Sequence, residues 1–307
     1  MNFNEAWTQF KQRDLLNRVK TIRVSVFNLQ EYTLISQLCH DSKGEIRVLL
    51  RHPIFGNKSQ FLRNLIRTNV GLLLRHTNRL GRVKIRGYAR DPVFKGFLLD
   101  QRSGFYSIYT ITQSRRKRRE YRGHDQIGVL LDAAKRGVES RLLAQYSEWF
   151  ENMWRGLSLP MFPRPPIIFV LNEMIVRVAS PTNVCRTLGE LRECGYRVFA
   201  ILYKLHKSLE TQIDRGGLER GKEYFVAFDR GKLTATLRSL VAKNAVTLDD
   251  AIMVGTNVFE QDMAAECGMA FIQVKFGENR QLNTEFWVKD LEGVRDLLAP
   301  MRVYHRS

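Results

Sequence analysis

From Pro166 onward four short apolar runs recur in the chain: PIIFVLN, YRVFAILY, AIMVGT and AFIQVKFG. Their interiors hold almost no polar residue, so none of them has a face to offer to water. Strands of this kind are buried on both sides, as in a parallel sheet sandwiched by helices. The intervening segments supply those helices. TNVCRTLGELRECG ends on Gly195, and KLTATLRSLVAKNA and EQDMAAECG follow the same spacing. Parallel neighbours need a crossover connection, which is usually a helix. The second half is therefore predicted to be an α/β domain with a Rossmann-like parallel sheet and helices on both faces.

A break precedes this pattern. Leu157–Pro166, LSLPMFPRPP, contains four of the eight prolines. Proline lacks an N–H and constrains the residue before it, which predicts a linker rather than a helix or a central strand. The expected organisation is a domain over 1–156, a proline-rich linker over 157–166 and a second domain over 167–307. A length of 307 residues accommodates two domains.

The first half also mixes strands and helices. A helix is expected over Phe3–Arg18, then a strand in TIRVSVF and a helix in EYTLISQLCHD. GEIRVLLRHP is a second strand, ended by Pro53. Ser59–Leu80 is an amphipathic helix with Leu62, Ile66, Val70, Leu73 and Leu80 on its apolar face. RVKIRGYA is a third strand, and VFKGFLLDQRSGFYSIYTI a strand pair turning at Ser103-Gly104. A long helix is expected from His124 to Trp154.

Charge separates the halves. Residues 1–160 hold 29 Lys+Arg against 13 Asp+Glu, whereas residues 161–307 hold 20 against 18. Residues 46–90 hold 11 basic residues and no acid. Such a field draws polyanions, so nucleic acid is the expected partner of the first half. Arg63, Arg67, Arg75 and Arg79 recur in steps of four or eight on the helix side away from its apolar residues. Arg82, Lys84 and Arg86 continue the basic stretch, with Arg90 beyond them. Arg115, Arg116, Lys117, Arg118 and Arg119 form a second basic run, read as a clamp on nucleic acid or, in a eukaryotic host, a nuclear-import signal. Tyr121 is placed to stack on a base.

The four cysteines form no C-x-x-C and have no histidine at zinc-ligand spacing, so no metal is expected. No run reaches the ~18 apolar residues of a membrane span, and the first residues have no apolar leader core. A cytoplasmic location is expected.

The second half resembles the haloacid dehalogenase superfamily of phosphatases and phosphotransferases. IIFVLNEMI aligns without a gap to that family's first motif, I-I-F-D-L-D-G-T-L. The family's nucleophilic aspartate falls on Val170 and its acid/base aspartate on Asn172. Lys232, in DRGKL, or less well Lys243, matches the family lysine. VGTNVFEQDMAAECGM resembles the last motif, with Thr256 in place of a metal-binding aspartate and Asp262 matching the later one. The resemblance implies a phosphatase-type sheet over about residues 166–280. It also implies a lost reaction, because Val170 carries no nucleophilic atom and the metal carboxylates are replaced. The rim formed by Asn172, Lys232, Thr256 and backbone N–H groups either holds an anion without attacking it or is an empty scaffold.

The first half resembles the phospholipase D superfamily more distantly. VFKGFLLD follows H-x-K-x-x-x-x-D at Lys95 and Asp100, with Val93 where the nucleophilic histidine belongs. Without that imidazole the family chemistry is absent too.

The chain is therefore expected to be a non-catalytic nucleic-acid-binding protein, without cofactor, whose pseudo-phosphatase domain serves as scaffold, phosphate or nucleotide sensor, or platform for a protein partner. The resemblance and the charge together suggest a nucleic-acid-handling or defence assembly. Two alternatives compete with it. One is a metal-dependent phosphohydrolase or nuclease using Asp100, Asp249, Asp250 or Asp262. The other is a peripheral protein of anionic membranes.

Overall fold

The computed structural model describes residues 5–6, 8–9, 19–26, 32–54, 60–77, 82–90, 93–108, 110–113, 119–122, 128–135, 137–203, 207–227, 229–276, 282 and 284–298. The chain is a mixed α/β protein of two compact units, Met1–Trp154 and Arg155–Ser307. Among the described residues no helix is long and apolar enough to cross a membrane.

In the first unit, β1 (Thr21–Ser25), α1 (Tyr32–Asp41), β2 (Glu45–Arg51), α2 (Gln60–Thr77) and β3 (Val83–Tyr88) make two successive β–α–β turns, with the three strands parallel. β4 (Phe94–Leu99) returns antiparallel beside β1. β5 (Ser103–Ile108) pairs antiparallel with β4. β6 (Thr110–Gln113) and β7 (Arg119–Arg122) form a separate two-stranded ribbon, and β8 (Val129–Asp132) then joins β5. The order within the unit is β8-β5-β4-β1-β2-β3. The helix α3 (Val138–Gly156) follows.

Side chains alternate across a strand, so the register defines the two faces of this sheet. Ile22, Val24, Ile46, Val48, Leu50, Val83 and Ile85 share one buried, apolar face. The other face is cationic, because Arg23, Arg47 and Lys84 stand in one row across β1, β2 and β3. The row is neutralised from two sides. Glu151 of α3 accepts from Arg23 Nε at 2.7 Å and lies 3.6 Å from Arg47. Glu45 accepts from Arg47 at 3.1 Å and lies 3.6 Å from Lys84. The Trp154 ring receives the guanidinium groups of Arg47 and Arg86 at 5.7 and 5.5 Å from its centre. Flat, weakly hydrated guanidinium groups suit such stacking.

Several expectations change here. The helix expected over His124–Trp154 begins only at Val138, and Val129–Asp132 is strand β8. A short apolar run carries no decisive period, and pairing with β5 decides it. The turn in the strand pair is not at Ser103-Gly104 but over Asp100–Arg102, with Asp100 at φ 52 and its carboxylate accepting from the backbone of Thr21 at 2.8 Å. That bond compensates a left-handed conformation that aspartate tolerates better than most residues. The expected helix Phe3–Arg18 lies almost wholly outside the described residues.

In the second unit, the expected linker contains a strand, β9 (Ser158–Phe162), with Pro160 inside it. Proline forbids a central strand but not every strand position. The unit continues with β10 (Ile167–Leu171), α4 (Glu173–Val178), α5 (Pro181–Glu193), β11 (Val198–Tyr203), α6 (Lys207–Arg215), β12 (Tyr224–Ala227), α7 (Arg230–Asn244), β13 (Ile252–Gly255), α8 (Val258–Glu266), β14 (Ala270–Val274), β15 (Trp287–Val288) and α9 (Leu291–Leu298). β12-β11-β10-β13-β14-β15 form one wholly parallel sheet. The chain builds outward from β10 through β11 to β12, then crosses back to β13 on the other side. β10 and β13 therefore flank the topological switch point, where loops diverge and leave a crevice at the carboxyl ends of the strands.

Candidate functional site

That crevice is built by the residues that leave β10 and β13. Asn172 follows β10 and caps α4, its Oδ1 accepting from Met174 N at 3.0 Å and Ile175 N at 3.2 Å. Its Nδ2 donates across the switch point, to Thr256 Oγ1 at 2.5 Å and to Glu260 Oε1 at 2.8 Å. Asn257, after β13, caps α8 and closes a capping box with Glu260. Capping-box carboxylates usually sit at a helix surface, but Glu260 is only 2% exposed.

Glu260 is the hub of the site. Its Oε2 accepts from Thr256 N at 2.6 Å and Asn257 N at 3.4 Å, and its Oε1 also accepts from Asn257 Nδ2 at 2.7 Å. Four donors thus face the carboxylate. Burial pushes its acidity weaker than a normal glutamate, and outweighs the opposing pull of those four hydrogen bonds. Gly255 makes room for it. A Cβ there would stand 2.5 Å from Glu260 Oε2 and 3.0 Å from the Phe271 ring.

Beside this network lies a cavity of about 150 Å³, whose wall includes Asn172, Met174, Tyr203, Leu233, Phe259 and Glu260. Of the expected vestigial residues, Asn172 and Thr256 meet here. Val170 does not, because it is wholly buried in the apolar core with Ile168, Ile201, Leu237 and Met253. Lys232 is exposed on the first turn of α7, 3.7 Å from Asp229, and does not line the cavity. Asp262 is exposed on α8 and does not line it either. Glu260 was missed in the sequence, although the N-x-x-E of NVFE is a helix-start signature that marks it.

The chemistry of the crevice follows from this wiring. Backbone N–H groups at the start of a helix are the usual cradle for a phosphate. Here Thr256 N and Asn257 N already serve the protein's own carboxylate. An incoming phosphate would meet occupied donors and a like charge.

The basic residues of the first unit divide into two groups. Residues seven apart on a helix lie about 20° apart, so Arg63 and Arg67 flank the buried Val70 and Leu74 rather than opposing them. Both are partly buried, and only Arg75 of α2's described arginines faces solvent fully. Arg82 donates to the backbone oxygen of Cys39, Lys84 is paired with Glu45, and Arg86 is 3% exposed against Trp154. These three are structural, a correction to the expected basic stripe. Arg90 is exposed. Arg79, Arg115, Arg116, Lys117 and Arg118 lie outside the described residues. Arg119 opens β7, where only the backbone is described.

The expected phospholipase D-like residues do not share a site. Val93 is 46% exposed before β4, and Lys95 is 5% exposed on β4 opposite Ser107. Asp100 follows the far end of that strand, roughly 17 Å from Lys95 at ordinary strand rise. Asp249 and Asp250 precede β13, at the amino end of the sheet, away from the crevice. Among the described residues no three of His, Cys, Asp and Glu converge as metal ligands.

No protein-family model and no curated protein matches the chain. Among solved structures it is similar to TrmBL2, an archaeal chromatin protein described as showing a novel mode of DNA binding. That likeness has a TM-score of 0.29 and 12% identity, over 48% of this chain and 47% of that one. The chain thus spans under half the length of that relative. A hexameric APS kinase from Thiobacillus denitrificans matches with a TM-score of 0.26 and 10% identity, over 98% of this chain and 70% of the other. Likenesses of this size carry no argument about fold or activity.

Proposed function

We propose that the chain is a non-catalytic nucleic-acid-binding protein. Its first unit engages phosphates, and its second is a haloacid dehalogenase-like domain retained as a scaffold. The observation that carries this reading is the charge of the first unit. Residues 1–154 hold 28 Lys+Arg against 13 Asp+Glu. Five of those acids are already engaged: Glu45 and Glu151 with the cationic row, Asp100 and Asp132 with backbone N–H groups, and Glu139 with Lys135. Basic residues thus outnumber acidic ones by 15 in this unit, an excess that favours a polyanion.

Scaffold is preferred to phosphate sensor for the second unit, because Glu260 occupies the donors that a phosphate would need. Val170 supplies no nucleophile from the core. The test is binding of DNA and RNA oligomers to the full chain across a salt series, with phosphatase and nuclease assays in Mg²⁺ and Mn²⁺ run alongside. Affinity should fall steeply with salt and no turnover should appear. Salt-insensitive or absent binding defeats the nucleic-acid reading. A metal-dependent turnover lost in Asp262→Ala defeats the non-catalytic one.

A further inference from the structure

Three rings of the first unit stop short of burial. Phe94, Tyr106 and Trp149 are partly exposed, and each packs against the buried Tyr146 with ring centres 5.5, 6.0 and 5.9 Å away. Phe94 also meets Trp149 at 5.0 Å and Tyr106 at 5.8 Å. Tyr146 is held in turn by Ser25, hydroxyl to hydroxyl at 2.5 Å. The rings are therefore fixed, and ordered in advance of any ligand.

The sheet extends this surface. Ile108 stands opposite Phe94, and Val129 opposite Tyr106. Cross-strand partners share a face, so these two side chains, 54% and 45% exposed, border the rings. Large apolar groups are left in water here although the helix α3 lies alongside. The same strand ends are the root of a strongly basic part of the chain. β5 leads from Ile108 into the β6–β7 ribbon, and the chain returns to β8 at Val129. The sequence between them, residues 109–128, holds six Lys+Arg against two Asp+Glu.

An apolar patch by itself accepts any apolar partner. The charge selects among them. A partner with flat apolar faces and regularly spaced negative charge matches both features, and single-stranded nucleic acid has both. In a duplex the base faces are hidden. We propose that Phe94, Tyr106 and Trp149 form a stacking platform for the bases of single-stranded nucleic acid, whose phosphates are drawn by the positive charge of residues 109–128. This rests on reading the first unit as nucleic-acid-binding. Stacking of this kind tolerates any sequence, because every base has a π-face.

The experiment compares three labelled probes on the full chain: an oligothymidylate, an abasic strand of equal length and a blunt duplex. Oligothymidylate should bind tightest. Trp149→Leu, which keeps apolar bulk, should weaken it about 5- to 150-fold and leave the abasic strand and the duplex unchanged, with a cooperative melt retained. Oligothymidylate should also quench tryptophan emission in the wild type and much less in Trp149→Phe, which keeps a ring in place. If the abasic strand binds as well as oligothymidylate, or if both Trp149 variants behave as wild type, the platform is overturned while nucleic-acid binding stands. If no probe binds, the proposed function fails as well. Tighter binding to phosphatidylserine vesicles than to oligothymidylate, lost in Trp149→Leu, would assign the patch to a membrane surface and overturn the proposal.

Discussion

Asn172 Nδ2 donates to Glu260 Oε1 at 2.8 Å, joining the loop after β10 to the helix after β13 across 88 residues of sequence. This bond closes the switch point of the second sheet from inside. A site of this topology ordinarily opens there to receive a ligand. In this chain a carboxylate of the protein takes the donors instead.

Glu260→Gln should therefore destabilise the second unit despite its matching shape. All four groups facing the carboxylate donate, and an amide would turn a donor of its own toward Asn172 or Asn257. The expected loss is about 1–3 kcal/mol, read from denaturant unfolding. A variant as stable as wild type would show that the carboxylate is not needed as a fourfold acceptor.

Gly255→Ala tests the same network from its other side. The added methyl would press on Glu260 Oε2 and the Phe271 ring. Overpacking at such a point costs about 1–3 kcal/mol. The loss should shrink in a Glu260→Ala background, where the nearest obstacle, Glu260 Oε2, is gone, and a double-mutant cycle measures this coupling.

His52 predicts a pH dependence of the first unit. It is fully buried at the end of β2, and burial together with the nearby Arg67 depresses its pKa from 6.5 to about 3. The native state holds it neutral, whereas the unfolded chain protonates it below the ordinary value. Its contribution to stability is complete above pH 6.5 and is lost as pH falls toward 3, at up to about 1.4 kcal/mol per pH unit. His52→Asn keeps an acceptor for Ile54 N, which His52 Nδ1 holds at 3.3 Å, and does not titrate. Denaturation at about pH 7 and about pH 5 should show a smaller difference for this variant than for wild type.

The arginines should separate into two phenotypes. Arg75→Glu and Arg90→Glu, at exposed positions, should weaken oligonucleotide binding for all sequences alike and lower the salt slope by about one for each phosphate no longer neutralised. Arg75→Glu should leave the melt unchanged. Arg86→Ala should do the opposite, costing stability by baring the Trp154 ring, with little change in slope.

Glu151→Ala should destabilise the first unit by about 2 kcal/mol, because it strips the carboxylate from Arg23 and Arg47 on a partly buried face. Added salt should compensate poorly, since side chains as enclosed as Arg23 are weakly screened.

Much of the second unit was legible in the sequence. Continuous apolar strands and helical spacing mark a parallel sheet because burial on two faces leaves no other composition for a strand. The shorter and more polar pieces were not legible. β12 has four residues, and α6, Lys207–Arg215, is short, with Leu209 and Ile213 its two large apolar residues. In the first unit β8 was absorbed into a longer helical reading, since VLLD fits either period and only its pairing with β5 chooses. The basic stretch was visible as charge but not as geometry.

Composition and apolar period determined the α/β class of this chain and the charge of its first half. These are local properties, readable wherever the residues go. Tertiary structure decided which charges are spent. Arg86 is turned onto Trp154 and Arg75 toward water, although both are arginines of one acid-free stretch. It also decided what fills the crevice, because Glu260 reaches Asn172 only when β10 and β13 lie side by side. Strand pairing brings together residues that are distant in sequence, and no local pattern encodes which partners will meet.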